Sequence, residues 1–298
     1  MHAIAAAPPA QPFFLDGGAA ARFCLYHPPA VHPPFVAPAL GACRGAWLYI
    51  HPFAEEMNKS RRMAALQARA LARQGYAVLQ MDLYGCGDSA GDFADARWDI
   101  WLDDIARALA WLERQSGCAA GLWGLRLGAL LALDMAQARP LPGLLLWQPV
   151  TNGSQFLTQF LRLKVASEML AEGGGDSGDK GSKSGGTAAL RLTLAAGQPL
   201  EIAGYTLDAA LGLAIDARAA EKFTPPACPV RWFEIAPESS RPLSPAAARV
   251  AAALAAGGAG VTTHVVAGPQ FWATQEIAEC PALLDATVQS LSEHCHAA

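Results

Sequence analysis

The stretch GLWGLRLGALLAL, residues 121–133, runs an apolar strand signal into Gly124-Leu125-Arg126-Leu127-Gly128 and directly on into an apolar helix signal. A strand turned sharply into a helix through Gly-x-Ser-x-Gly presents its central side chain above the end of a parallel sheet. Here Arg126 stands where that pattern has serine. A guanidinium has five donors, no lone pair free to attack, and a pKa above ~12 that keeps it protonated. Arg126 is therefore excluded as an acyl-transfer nucleophile. The frame locates a site and leaves its chemistry open.

The segments on either side support the strand-turn-helix reading. Residues 12–27 read as a hairpin around Asp16-Gly17-Gly18, followed by Pro-rich loop from 27 to 38. GAWLYIHP is then an apolar strand, and NKSRRMAALQARALARQG a helix with Met63, Leu66, Ala70 and Leu71 on one face and Gly75 as its stop. YAVLQMD is a second buried strand. Trp98, Trp101, Leu102, Ile105, Leu109 and Leu112 recur at helical spacing before the strand AAGLWG and the helix that leaves the turn. GLLLWQP, PVRWFEIAP and VTTHVVAG are three further apolar runs bounded by Pro or Gly. Strands alternating with helices predict an α/β fold, a mostly parallel central sheet with helices on both faces and right-handed crossovers. Ligands of such sheets bind at the carboxyl ends of the strands.

About 75 residues separate GLLLWQP from PVRWFEIAP, far more than a crossover needs. The expected organisation is a core domain from 1–150 and 226–298, with residues 151–225 inserted as a cap. Phe156, Phe160, Leu163 and Leu170 lie at helix-compatible spacing and are expected to cover the site. The Gly/Ser-rich stretch at 172–186 cannot bury apolar area and reads as a flexible loop.

Composition narrows the function. With 298 residues, 52% of them hydrophobic, the chain can bury a sizeable core. Its net charge of −4, with no dense Lys/Arg cluster beyond the run from Lys59 to Arg62, argues against nucleic acid as a partner. No uninterrupted apolar run reaches the ~18 residues of a spanning helix, and no signal peptide is evident at the N-terminus, so direct membrane insertion is not expected. Seven cysteines lie scattered, without paired or Cys/His ligand spacing. Neither metal site nor disulfide framework is indicated, no cofactor is implied, and a reducing cytoplasm fits best.

After the YAVLQMD strand comes DLYGCGDSAG, a D-x-x-G-x-G-x-S turn. This turn, the order of elements from about residue 12 to 292 and the Gly-x-x-x-Gly frame together resemble the α/β-hydrolase superfamily. More narrowly, HPFAEEMNKSRRM, GLRLGALLA, WQPVTNGSQFLTQFLRLK and GPQFWATQEI resemble the exosortase A system-associated hydrolase 2 family. That resemblance implies a bacterial protein encoded among exopolysaccharide and PEP-CTERM sorting functions, with no substrate attached.

In this fold a triad runs in chain order Ser, Asp/Glu, His. The loop after VTTHVVAG, where histidine is expected, reads Gly268-Pro269-Gln270-Phe271-Trp272; His264 lies inside the strand, and His294 and His296 in the tail. Glu238, in IAPESSRPLSP, keeps a carboxylate at the acid position. Backbone N–H groups of Leu127 and of Phe53 or Ala54 would form the oxyanion site and survive any side-chain change. A cation at a helix start is disfavoured by ~0.3–1 kcal/mol, so Arg126 needs a carboxylate, from Glu55 or Glu56 in the oxyanion loop, Glu238 or Glu276. His51 reads as a loop-shaping histidine, Ser89 as a turn hydroxyl, Cys86 as a thiol without an activating base, and Gln270 and Trp272 as pocket wall.

The preferred expectation is a hydrolase of the exosortase/exopolysaccharide setting, acting on an ester- or acyl-type small molecule through a divergent site around Arg126, with Glu55 or Glu56 as base. Its alternative is a non-catalytic pseudo-hydrolase that holds an anionic ligand or a partner through Arg126, and for Arg126 itself the plainest reading is an internal ion pair with a carboxylate that plugs the site. A homodimer is compatible with either.

Overall fold

The apolar runs around residues 121–133 form the centre of an eight-stranded sheet. The computed structural model describes residues 8–17, 20–30, 43–172 and 186–292. In chain order, β1 (Gln11–Gly17) and β2 (Ala20–His27) precede β3 (Ala46–Ile50), α1 (Glu55–Arg73) and β4 (Ala77–Met81). Then come α2 (Trp98–Ser116), β5 (Ala120–Leu125), α3 (Leu127–Ala138) and β6 (Leu144–Trp147). Between β6 and the next sheet strand the chain builds α4 (Gly153–Glu172), α5 (Gly186–Ala195), a hairpin of β7 (Leu200–Ile202) and β8 (Tyr205–Leu207), and α6 (Ala209–Asp216). It closes with β9 (Pro229–Ala236), α7 (Pro245–Ala256), β10 (Gly260–Ala267) and α8 (Pro281–Ser292).

The sheet order is β1-β2-β4-β3-β5-β6-β9-β10, with β1 and β2 antiparallel at one edge and the other strands parallel. Strand β5 lies between β3 and β6 and is buried at all six positions. A strand covered on both faces reads as a continuous apolar run, which is why AAGLWG lacks alternation. One face packs Trp101, Ile105 and Leu109 of α2 and the apolar length of α3. The other packs Trp123, Trp147, Phe233 and Phe271 against Met63, Ala64 and Leu71 of α1 and Leu283 of α8. Full burial of such side chains contributes about 1.5–3 kcal/mol each, and Trp101, Trp123, Trp147, Trp232 and Phe271 are among the fully buried ones. At the β2 edge, Arg22 Nε donates to Asp104 Oδ1 at 2.8 Å, and Asp104 Oδ2 accepts from Tyr84 N at 2.9 Å. Burial raises the Asp104 carboxyl against the lowering effect of Arg22.

Three expectations change. The helix after β3 starts at Glu55 rather than near Asn58, so Glu55 and Glu56 belong to its first turn. Acidic side chains favour that end because the first N–H groups and the helix dipole are positive there. Leu170, expected over the site, is 81% exposed. Cys43 and Cys118, in a sequence that indicated no disulfide framework, are joined in a disulfide; Cys43 shortly precedes β3 and Cys118 precedes β5, so neighbouring strands bring together residues 75 apart in sequence. Cys24, Cys86, Cys228 and Cys280 are free and buried. The Gly/Ser-rich stretch falls almost entirely outside the described residues, as do His294 and His296. Among the described residues no helix is long and apolar enough to cross a membrane, and no His/Cys/Asp/Glu group gathers as a metal site.

Candidate functional site

Arg126 sits at the step between β5 and α3 with φ 56 and ψ −116, a backbone conformation that side chains rarely adopt. The glycine frame makes the turn sterically possible. A Cβ at Gly124 would stand 2.5 Å from Ala129 Cα, and one at Gly128 would stand 2.3 Å from Ile50 O. The turn is pinned by Arg126 N donating to Trp147 O at 3.0 Å, and Arg126 O accepts from Val150 N at 3.1 Å. Beside it, Ala54 at the N-cap of α1 has nearly the same backbone angles, φ 50 and ψ −127. Two strained strand-to-helix steps, after β3 and after β5, thus adjoin one another at the carboxyl end of the sheet.

The guanidinium of Arg126 meets one of the four carboxylates considered for it. Nε donates to Glu56 Oε1 at 3.3 Å, and the guanidinium carbon lies 5.4 Å from the centre of the Trp272 ring. Both side chains of the pair are about one-fifth exposed, 18% for Arg126 and 19% for Glu56. Burial raises the Glu56 carboxyl above its ordinary value, opposed by Arg126. Its Oε2 is buried without a hydrogen-bond partner. The Nη groups of Arg126 have no hydrogen bond to any described residue. Glu55 pairs instead with Lys59 at 3.5 Å, while Glu238 and Glu276 are exposed and form no ion pair with Arg126. Glu238 stands just beyond β9, where the acid was expected, on a solvent-facing loop and without an ion pair to Arg126.

Two cavities meet at Arg126. One, of about 260 Å³, is walled by Phe53, Phe156, Phe160, Leu163 and Trp272, with Glu55 and Glu56 on its margin. The other, of about 220 Å³, is lined by Thr151, Asn152, Gln155, Gln159 and Ser244. Arg126, Phe156 and Gln159 border both. Phe53 holds α4 over the strand ends, with ring centres 5.7 Å from Phe156 and 5.0 Å from Phe160. Gln155 and Gln159 escaped sequence reading, although they lie one turn apart on the flank of the Phe156–Phe160 face and could have been taken from the same helical spacing.

The other candidates have local tasks. His51 is buried between Pro52 O, 2.7 Å from Nδ1, and Leu83 N, which donates to Nε2 at 3.2 Å. This arrangement fits the neutral Nδ1–H tautomer, and burial lowers its pKa. His51 ties the β3 loop to the β4 loop. Ser89 Oγ donates to Asp82 O and accepts from Phe23 N at 2.9 Å, so it closes a turn as expected. Burial pushes the Cys86 thiol up, away from thiolate chemistry. Trp272 is buried beneath the guanidinium, but Gln270 is exposed and lines neither cavity at Arg126. His264 stacks on Phe233 within the sheet, ring centres 4.7 Å apart. Among the described residues no histidine lines either cavity at Arg126. The backbone N–H of Leu127, first residue of α3, has no intrahelical partner and remains a candidate anion donor.

The sheet order, the strained step between β5 and α3, and the insertion after β6 are those of the α/β-hydrolase fold. Residues 42–184 match the family described as serine aminopeptidase, S33. The fold is shared with Est1E from Butyrivibrio proteoclasticus, solved with ferulic acid, at TM-score 0.64 and 16% identity over 95% of this chain and 97% of that one. It is shared with a thermostable carboxyl esterase from Bacillus coagulans, at TM-score 0.61 and 14% identity over 95% and 98%. A soluble variant of the Saccharomyces cerevisiae monoglyceride lipase aligns at TM-score 0.60 and 13% identity over 96% of each chain. No curated protein sequence matches.

Proposed function

We propose that this chain is an α/β-hydrolase-fold protein of the bacterial exosortase A and exopolysaccharide setting, whose cleft under α4 captures an anionic small molecule at Arg126. The carrying observation is that the guanidinium spends only Nε on Glu56 and leaves its Nη donors unbonded where two cavities meet. A guanidinium fork of this kind suits a carboxylate or phosphate oxygen pair. The exosortase setting rests on the four sequence segments around the site, and the assignment of 151–225 as a cap rests on α4 packing over the strand ends.

A second reading, hydrolysis of an ester or acyl bond, is favoured by Glu56. Its Oε2 is buried and unpartnered, and its pKa is raised, which is how a carboxylate is tuned as a general base for a water. Arg126 and the N–H groups of Leu127 and Ala54 would then face the developing oxyanion.

The test is a panel of ester, thioester and amide substrates beside a set of acyl phosphates and nucleotide sugars, on wild type and Arg126→Ala. Thermal stabilisation by anions that disappears in Arg126→Ala, without turnover, supports capture. Turnover lost in both Arg126→Ala and Glu56→Gln supports the hydrolase. Neither stabilisation nor turnover with any compound would sink the assignment of the site.

A further inference from the structure

The two cavities at Arg126 differ in kind. The 260 Å³ cavity has aromatic and aliphatic walls, Phe53, Phe160, Leu163 and Trp272 among them. The 220 Å³ cavity presents amide and hydroxyl groups, from Asn152, Gln155, Gln159 and Ser244. Each alone is smaller than the roughly 300–1,000 Å³ of ordinary small-molecule sites, and the pair together falls within that range. Arg126 borders both, so a ligand that fills them carries its anion in the middle and a different substituent on each side.

Charge narrows the anion. Among the described residues Arg126 is the only cationic side chain lining either cavity, and Glu56 lies 3.3 Å from it with Glu55 nearby. Glu56 already offsets the charge of that guanidinium, so the free Nη donors suit a monoanion better than a dianion such as a phosphomonoester, whose second charge would add to the repulsion from Glu56. A carboxylate is a monoanion but ends its molecule at the anion. A phosphodiester is a monoanion with an ester arm on each side.

We infer that the site takes a phosphodiester bearing one hydrocarbon arm, seated along Phe53, Phe160 and Leu163, and one polyhydroxylated arm, seated against Asn152, Gln155 and Gln159. This inference rests on the reading of Arg126 as an anion anchor and names the class of ligand. The hydrocarbon arm gains by leaving water at about 25 cal/mol per Å². The sugar-like arm exchanges hydrogen bonds with water for bonds to the side-chain amides, which supplies selectivity more than affinity. Both arms meet α4, whose residues 155, 159 and 163 stand one turn apart.

The experiment is calorimetric titration at one pH and ionic strength with inorganic phosphate, hexyl phosphate, glucose 1-phosphate and the mixed diester hexyl glucosyl phosphate. Wild type is expected to bind the diester at least tenfold more tightly than either monoester. Leu163→Ser, an uncharged change at a position 43% exposed, should weaken hexyl phosphate and the diester and leave glucose 1-phosphate unchanged. Gln155→Leu, also exposed, should weaken glucose 1-phosphate and the diester and leave hexyl phosphate unchanged. Arg126→Gly, which suits the positive φ at that position, should abolish binding of all four while the protein still melts cooperatively. A diester that binds no tighter than a monoester, or whose binding ignores both arm variants, overturns the two-arm inference. If Arg126→Gly still removes binding in that case, the anion anchor stands alone. If no compound binds, or if Arg126→Gly changes nothing, the anchor falls with it.

Discussion

Arg126 Nε donates to Glu56 Oε1 across 3.3 Å, joining the N-cap of α3 to the first turn of α1. The pairing answers the electrostatic problem of a cation at a helix start. The positive end of α3 disfavours the guanidinium, and the positive end of α1 favours the carboxylate that faces it. The contact uses one donor and one acceptor, and leaves Nη and Oε2 unspent. A partly buried pair left this incomplete is a weak device for stability, since desolvation of two charges offsets much of their attraction.

Serine chemistry is not restored by restoring the letter. Arg126→Ser is expected to show no esterase burst and no stoichiometric labelling by a fluorophosphonate, because among the described residues no histidine lines the cavities to take the hydroxyl proton. Labelling of the wild type at any serine, followed by peptide mapping, would reverse this reading of the turn.

The Glu56 carboxyl carries a pH signature. Its pKa in the folded chain is raised above the ordinary 4.5, chiefly by burial and against the pull of Arg126. From 4.5 upward the unfolded chain therefore gives up this proton before the folded chain does, and stability is lost as pH rises through the raised value. Glu56→Gln should remove that loss, so its stability relative to wild type should increase with pH above 4.5 in urea titrations. A pH-independent difference between the two proteins would contradict it.

His51 gives the opposite slope. Burial lowers its pKa below 6.5, and its Nε2 already accepts the Leu83 N–H. Below pH 6.5 the unfolded chain takes up a proton that the folded chain refuses, so stability falls on acidification toward the lowered value. His51→Gln, which can still accept from Leu83, should flatten the acid side of the profile; an unchanged acid limb would remove His51 from the account.

The two strained steps separate by substitution. Gly128→Ala places a Cβ against Ile50 O and should cost on the order of 3 kcal/mol or more. Ala54→Gly relaxes a positive φ and should be neutral or stabilising by about 1 kcal/mol, against the usual cost of removing a buried methyl. Equilibrium denaturation of both variants checks the contrast, and equal losses would show that the backbone at residue 54 stores no strain.

The Cys43–Cys118 disulfide closes a separation of 75 residues. Chain-entropy reasoning puts its contribution at up to roughly 4 kcal/mol. Peptide mapping without reductant should recover the cross-link, and reduction should lower the melting temperature; quantitative alkylation of both thiols in the unreduced native protein would remove it.

Much was legible in the residues alone. Apolar runs bounded by Gly and Pro marked the strands of a mostly parallel sheet, and the glycine frame at 124 and 128 placed the turn, because only glycine allows backbone to pass so close to Ala129 and Ile50. The arginine at the serine position of the turn was equally plain, since it is read directly from the residues. Partners were not legible. Glu55, Glu56, Glu238 and Glu276 were equal candidates in sequence, and only the rotation of the first turn of α1 set Glu56 at the guanidinium while Glu55 turned to Lys59 and the other two faced water. The joining of Cys43 to Cys118 and the two unlike cavities on either side of Arg126 belong to the same class of fact. Local sequence fixes elements through steric and hydrophobic rules that act over a few residues, whereas contacts across 70 or more residues follow from how the finished layers pack.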